Sequence, residues 1–307
     1  MRLAWYPQTF LCGACLFFSA FSGAQTVTKL TISDGFSVVP VLINGSGPYS
    51  FIFDTGSNRT LIRNELLGTL GISSKRLVPV NMINGVSYVH ETVAKSVAVG
   101  GLSVNDLEIE GIDADQLTKM SASIQGVLGE DFLKHFDVLI DNHAKTLTLD
   151  SASDLSDSLS GEHLPLSFSG RRRNQPTVDR LVLDVRAPLV ETLHFLLDSG
   201  TNTATFLPSK AVPEIGNSTF DATISTPVGN SFCRIDFVTL SVGKKTLPRL
   251  KIASYAGVAR DNFDVDGTLP TSVFDRLFIS HAGAYAIVNP HFRKPFGGPP
   301  SHLRSGQ

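Results

Sequence analysis

The sequence predicts an all-β protein, mainly strands with short helices, arranged as two similar lobes related by a pseudo-two-fold axis. Three observations predict it. Of 307 residues, 42% are hydrophobic and 20 are Phe, and runs of Val, Ile, Leu and Thr alternate with turn-forming residues among 26 Gly and 16 Pro; that mixture favours strands joined by turns. Three blocks of sequence recur in the same order at a nearly constant offset. Finally, each repeat sets a single Asp directly behind an apolar run.

In chain order, residues 1–24 read as a leader. Arg2 gives a short positive start, an apolar run extends from Phe10 to Phe21, and Ser22-Gly23-Ala24 offers small residues for cleavage. The run is shorter than the ~20 residues of a membrane span, so the expectation is a signal peptide removed before Gln25, a secreted or periplasmic protein and no stable membrane insertion; an uncleaved anchor is the alternative. Cleavage removes Cys12 and Cys15 and leaves Cys233 without a disulfide partner.

The first lobe is expected over 27–150. Val38 to Ile43 reads as a strand, Asn44 to Pro48 as a turn, Tyr49 to Phe53 as a buried strand, and Thr60 to Ile62 as extended chain. Val78 to Val99 reads as a hairpin turning at Asn84-Gly85. Glu130 to Phe136 spaces Phe132, Leu133 and Phe136 as one face of a short helix, with Glu130 and Asp131 placed to favour its dipole. The Ser-rich stretch 151–161 reads as a linker, 162–290 as the second lobe and 291–307 as a flexible tail. In the second lobe Pro270 is expected at the start of the equivalent helix, with Val273, Phe274 and Leu277 as its stripe.

The repeat carries the chemistry. Phe51-Ile52-Phe53-Asp54-Thr55-Gly56-Ser57 corresponds to Phe195-Leu196-Leu197-Asp198-Ser199-Gly200-Thr201. Val99-Gly100 corresponds to Val242-Gly243, and Gly126-Val127-Leu128-Gly129 to Gly267-Thr268-Leu269-Pro270. One Asp-Gly turn is commonplace. Two at equivalent places, each behind three apolar residues, need a reason, because a buried carboxylate is costly unless it is paired or hydrogen-bonded. Bringing Asp54 and Asp198 together across a two-fold supplies one: close carboxyls share a proton, so one can accept a proton from water while the other polarises a carbonyl. Gly56 and Gly200 would leave room beside them. The hydroxyls of Thr55 and Ser199 are expected to bridge the lobes, and those of Ser57 and Thr201 to donate to the carboxylates.

FDTGS with GVLGEDFL, and LDSGT with GTLPTSVF, resemble the retropepsin-like and pepsin-like aspartic proteases over about 27–290. The resemblance implies two acid-protease lobes with a cleft between them, endopeptidase activity, Asp54 and Asp198 as catalytic residues, and Thr55, Gly56, Ser57, Ser199, Gly200 and Thr201 as their loops. It implies a flap hairpin, for which Val80 to His90 is the candidate, with Tyr88 facing substrate. The second lobe departs in having Pro270 for Gly129 and one apparent extra residue before Thr205-Phe206-Leu207. A peptide-binding relative with impaired turnover is therefore the competing reading.

The remaining signals exclude other classes. A formal net charge of −2 gives no basic stripe for nucleic acid, and Arg171-Arg172-Arg173 reads as a solvated hairpin tip. No pair of His has metal-binding spacing, no Gly-rich phosphate loop is present, and no cofactor is expected. The expected partner is a peptide or protein substrate, and with both lobes in one chain a monomer suffices.

Overall fold

The computed structural model describes residues 25–82, 85–113, 123–169, 180–188, 192–207, 220–226, 229–255 and 265–293. The leader, the Asn84 corner, Arg171–Arg173 and the tail beyond 293 lie outside the described residues. The architecture is mainly β, as the composition predicts, with α-helices of only four to six residues among the described residues. No helix among the described residues is long and apolar enough to cross a membrane.

The N-terminal half is an eight-stranded sheet that folds back on itself through pairing of Phe36–Ile43 with Gly85–Val99. Phe36–Ile43 and Ser46–Phe53 form a hairpin. Its corner is tighter than the sequence suggests, because Asn44 and Gly45 both adopt positive φ (51° and 78°) and a two-residue turn suffices. Asn44 then ties the corner to the sheet, its Oδ1 accepting from the Ser96 N–H at 3.0 Å. Ser46–Phe53 runs parallel to Gly126–Leu128, with Phe51 opposite Gly126 and Phe53 opposite Leu128. Phe51 and Phe53 enter one apolar cluster and Ile52 another, so this strand is buried on both faces, which is why it reads as an unbroken apolar run.

The C-terminal half repeats the pairing scheme. Leu193–Asp198 runs parallel to Gly267–Pro270 as Ser46–Phe53 does to Gly126–Leu128. Ala204–Phe206 runs parallel to Lys245–Tyr255 as Thr60–Arg63 does to Leu102–Ile112. The registers correct the sequence alignment. Ile109 faces Thr60, and the equivalent Ile252 faces Ala204. Ile62 faces Gly126, and Phe206 faces Gly267. Thr60 is thus matched by Ala204 rather than Thr205, and no extra residue is present. Pro270 is also reassigned: it ends the strand Gly267–Pro270, a single 3-10 turn Thr271–Val273 follows, and Leu277 lies in the next strand, Arg276–Ser280.

The halves are joined by one continuous sheet. Asp137–Asp141 pairs antiparallel with Arg276–Ser280. Thr146–Asp150 and then Gln25–Lys29 extend it on one side, Tyr285–Val288 and His163–Ser169 on the other. The expected linker is part of this platform. Asp150 caps the helix Asp154–Ser158 by accepting from the Ala152 and Leu155 N–H groups at 2.9 and 2.6 Å. Leu155 and Leu159 pack with Leu139, Phe278 and Ile287 beneath the sheet. Leu159–Ser160 pairs with His291–Phe292, so the tail, expected to be loose from His291, begins with an anchored strand.

Truncating Leu139 (5% exposed) tests whether 151–161 is packed structure: Leu139→Ala is expected to lower unfolding free energy by about 2–5 kcal/mol. Urea unfolding that shows a loss below ~1 kcal/mol would mean this segment is not part of the core.

Candidate active site

Asp54 and Asp198 sit where each half's central parallel strand pair ends, facing each other across the boundary between halves. Their carboxyl groups are buried and close enough to interact directly, each lying against the glycine of the other half's loop. The approach is possible because the facing residues are glycines: a Cβ on Gly56 would lie 2.6 Å from Asp198 Cγ, and one on Gly200 would collide with the Asp54 carboxyl. Each carboxyl is thus walled by the other half's glycine.

The backbone serves both acids. Asp54 Oδ1 accepts from the Gly56 N–H at 2.8 Å and the Ser57 N–H at 3.1 Å. Asp198 Oδ1 accepts from the Gly200 N–H at 3.0 Å. Beneath them the two halves exchange hydrogen bonds. The Thr55 hydroxyl donates to the Leu197 carbonyl at 2.9 Å and accepts from the Ser199 N–H at 3.1 Å. The Ser199 hydroxyl donates to the Phe53 carbonyl at 2.8 Å and accepts from the Thr55 N–H at 2.9 Å. All four bonds are buried and reciprocal.

Ser57 and Thr201 act otherwise than the sequence suggests. The Ser57 hydroxyl donates to the Arg59 carbonyl at 2.7 Å and the Thr201 hydroxyl to the Thr203 carbonyl at 3.2 Å. These residues close their own loops, and the carboxylates are met by N–H groups instead. Tyr88, opposite Pro79 in the hairpin Arg76–Met82 with Gly85–Val99, has its ring in solvent at 64% exposure.

Burial raises the Asp54 pKa above its ordinary value of 3.8, against the lowering pull of its N–H donors and of Asp198. Asp198 is held well above the same value, first by burial and then by the charge of Asp54. More backbone donors converge on Asp54 than on Asp198, which favours the charge of a singly protonated pair on Asp54.

The loops are supported unequally. In the N-terminal half Asp131, buried at 2% exposure, accepts from the Thr60 N–H at 2.9 Å and hydroxyl at 2.7 Å. Thr60 Oγ1 in turn accepts from the Gly129 N–H at 3.2 Å. In the C-terminal half Ala204 has no hydroxyl and Pro270 no N–H, so donor and acceptor are lost together and neither is left unsatisfied. Glu130 and Asp131 occupy the first turn of the helix Glu130–Leu133, as expected, where Asp131 Oδ1 accepts from the Phe132 N–H at 2.9 Å; both are also buried, and Asp131 is locked to Thr60.

Sequence reading missed two further groups. Glu130 Oε2 meets His281 Nε2 at 2.9 Å across the boundary; 151 residues separate them, so no local spacing reveals the pair. Glu110, 7% exposed, lies 3.9 Å from the Arg59 guanidinium, and its Oε2 makes no hydrogen bond among the described residues. Its place in an alternating strand conceals it. Burial is the main cause lifting its pKa from 4.5 to about 7, only partly offset by Arg59. A carboxyl raised on folding favours the folded state below its unfolded pKa, and that advantage is lost as pH rises from 4.5 towards 7. Relative to wild type, Glu110→Gln is therefore expected to gain stability over that range, on the order of 3 kcal/mol by pH 8. Parallel unfolding curves at all pH values would contradict the buried-carboxyl assignment.

Residues 39–132 match the family model described as aspartyl protease. A solved structure of a retropepsin-like aspartic protease from Rickettsia conorii is 19% identical, with coverage of 41% of this chain and 89% of that one and a TM-score of 0.30. A comparison with curated proteins finds no match. The similarity to the aspartyl protease family thus spans residues 39–132, the stretch that carries Asp54, Thr60 and Asp131.

Proposed function

We propose that this protein is an aspartic endopeptidase that hydrolyses peptide bonds with Asp54 and Asp198 acting as one pair. The observation that carries the reading is the close approach of two buried carboxyls, each walled by the other half's glycine. Protease-like function accords with the family match over residues 39–132; the endopeptidase reaction and the roles of individual residues are our reading of the geometry.

In the singly protonated pair the ionised carboxyl, Asp54, takes a proton from a bound water. Asp198 donates its proton toward the scissile carbonyl oxygen as water attacks the carbon. The tetrahedral gem-diol then collapses as the pair passes a proton to the departing amine. Protons balance over the cycle and no covalent bond to the protein forms. The Thr55 and Ser199 crossing holds the carboxyls at fixed separation through these transfers, since neither aspartate loop can withdraw without breaking bonds to the other half.

The substrate class is a peptide or protein in extended form, and the site of action is outside the cytoplasm, as motivated by the leader-like residues 1–24. A second reading, a peptide-binding protein with impaired turnover, draws on the unequal loops: Ala204 and Pro270 remove the lock that Thr60, Gly129 and Asp131 form in the N-terminal half.

Incubating the protein with a mixed peptide library across acid and neutral pH distinguishes them. Cleavage is expected to fall by at least ~10³-fold in both Asp54→Asn and Asp198→Asn, because residues acting as a unit fail together. Cleavage that survives Asp198→Asn would remove the pair from the mechanism, and none at any pH by folded wild type would leave the binding reading.

Activity is expected only while one carboxyl is charged, so it falls as pH drops through the first ionisation and as pH rises through the second. Because both pKa values are raised, the upper limb lies above the ordinary aspartate value of 3.8. A pH–rate profile whose upper limb lies at or below that value would contradict the assignment.

A further inference from the structure

The first residues after the two central platform strands, Asn142 after Asp137–Asp141 and His281 after Arg276–Ser280, occupy equivalent positions in the antiparallel pair. Each reaches into the opposite half and holds the turn behind that half's glycine or proline. Asn142 Nδ2 donates to the carbonyls of Thr271 and Phe274 at 3.0 and 2.8 Å, and its N–H donates to the Asp275 carbonyl at 2.9 Å. His281 Nδ1 donates to the Phe136 carbonyl at 2.7 Å, and Nε2 meets Glu130 Oε2 at 2.9 Å. A carbonyl can only accept, so Nδ1 carries a proton, and a second proton bridges Nε2 and the carboxyl.

The two clamps differ in chemistry. The one on the C-terminal half is a neutral amide. The one on the N-terminal half is an ionisable pair almost closed to solvent, with side-chain exposures of 7% for His281 and 0% for Glu130. It also continues into the site. The Glu130 N–H donates to the Ser57 carbonyl at 2.8 Å, and the Ser57 N–H donates to Asp54 Oδ1 at 3.1 Å. His281, Glu130, Ser57 and Asp54 therefore form an unbroken chain from one half to the aspartate of the other.

We propose that His281 and Glu130 are positioning residues, a clamp through which the C-terminal half holds the Asp54 loop in register with Asp198. The proposal rests on reading Asp54 and Asp198 as the catalytic pair. His281 is faced by Glu130 and Asp137, with His135 in electrostatic reach, and Glu130 by Asp54 and Asp131. Burial opposes a charge on His281, but the Glu130 hydrogen bond and charge outweigh it and raise the imidazole above its ordinary 6.5. The charged clamp accordingly weakens as pH rises through the raised imidazole value and, because burial also raises the Glu130 carboxyl, as pH falls through that group's raised value.

The test uses the full chain with His281→Asn, which copies Asn142, and the Glu130→Gln/His281→Asn pair, which makes this clamp neutral like its counterpart. His281→Asn strands the Glu130 carboxyl, and kcat is expected to fall about tenfold with KM unchanged, while the double variant recovers to within about threefold of wild type. In carbon-13 spectra the Asp54 carboxyl is expected to titrate higher in His281→Asn, beside an unpartnered acid, and to return in the double variant. A His281→Asn protein that melts earlier yet keeps wild-type kcat and Asp54 titration would overturn the clamp. If His281→Asn does not fold, Glu130→Gln alone carries the test: a kcat loss at constant KM supports the clamp, and wild-type behaviour overturns it. If wild type cleaves nothing, the proposed function falls, while the Asp54 titration still decides the clamp, supporting it by moving and overturning it by standing still.

Discussion

Two carboxyl groups held at close range repel once both ionise, so a fold that keeps them together must prevent the supporting loops from parting. The crossed bonds of Thr55 and Ser199 meet that requirement. Each hydroxyl donates to a carbonyl at the end of the other half's buried strand and accepts from the N–H of its counterpart. All participants are buried, so breaking one bond strands a donor and an acceptor away from water, at about 1–3 kcal/mol for each unsatisfied group. The rest of the structure follows from this junction: the parallel strand pairs deliver the loops to it, and the shared platform beneath prevents the halves from rotating apart.

The halves share pairing registers but not loop chemistry. The N-terminal half fixes its aspartate loop with side chains, through Thr60, Asp131 and the Glu130–His281 bridge. The C-terminal half dispenses with the Thr60 hydroxyl and the Gly129 N–H in one step, through Ala204 and Pro270. That paired loss leaves nothing unsatisfied, which explains how a residue with no N–H can stand where the other half has Gly129. The aspartates are inequivalent as well, Asp54 accepting from the Gly56 and Ser57 N–H groups and Asp198 from that of Gly200.

Much of this is legible in the sequence because it depends on local pattern. Apolar runs ending in Asp, the Asn44-Gly45 corner and the two Asp-Thr/Ser-Gly turns announce strands and the acids they carry. What depends on register is hidden: apolar letters alone align Thr60 with Thr205, whereas hydrogen-bond pairing aligns it with Ala204. Hydroxyl direction is hidden too, since Ser57 and Thr201 have carbonyls two residues ahead that compete with the carboxylates. Composition misleads for the Ser-rich 151–161, because Leu155 and Leu159 suffice to dock it. Glu130 and His281 meet only through the topology of the central strands.

We propose that a single proton is shared by Asp54 and Asp198, with the charge on Asp54. Neutron diffraction from crystals held within the pH window of activity observes this directly. Expected are carboxyls in hydrogen-bond contact, one deuteron between them and bonded to Asp198, and Asp54 accepting from the Gly56 and Ser57 amides. Carboxyls more than ~4–5 Å apart, each separately solvated and both ionised, would contradict it.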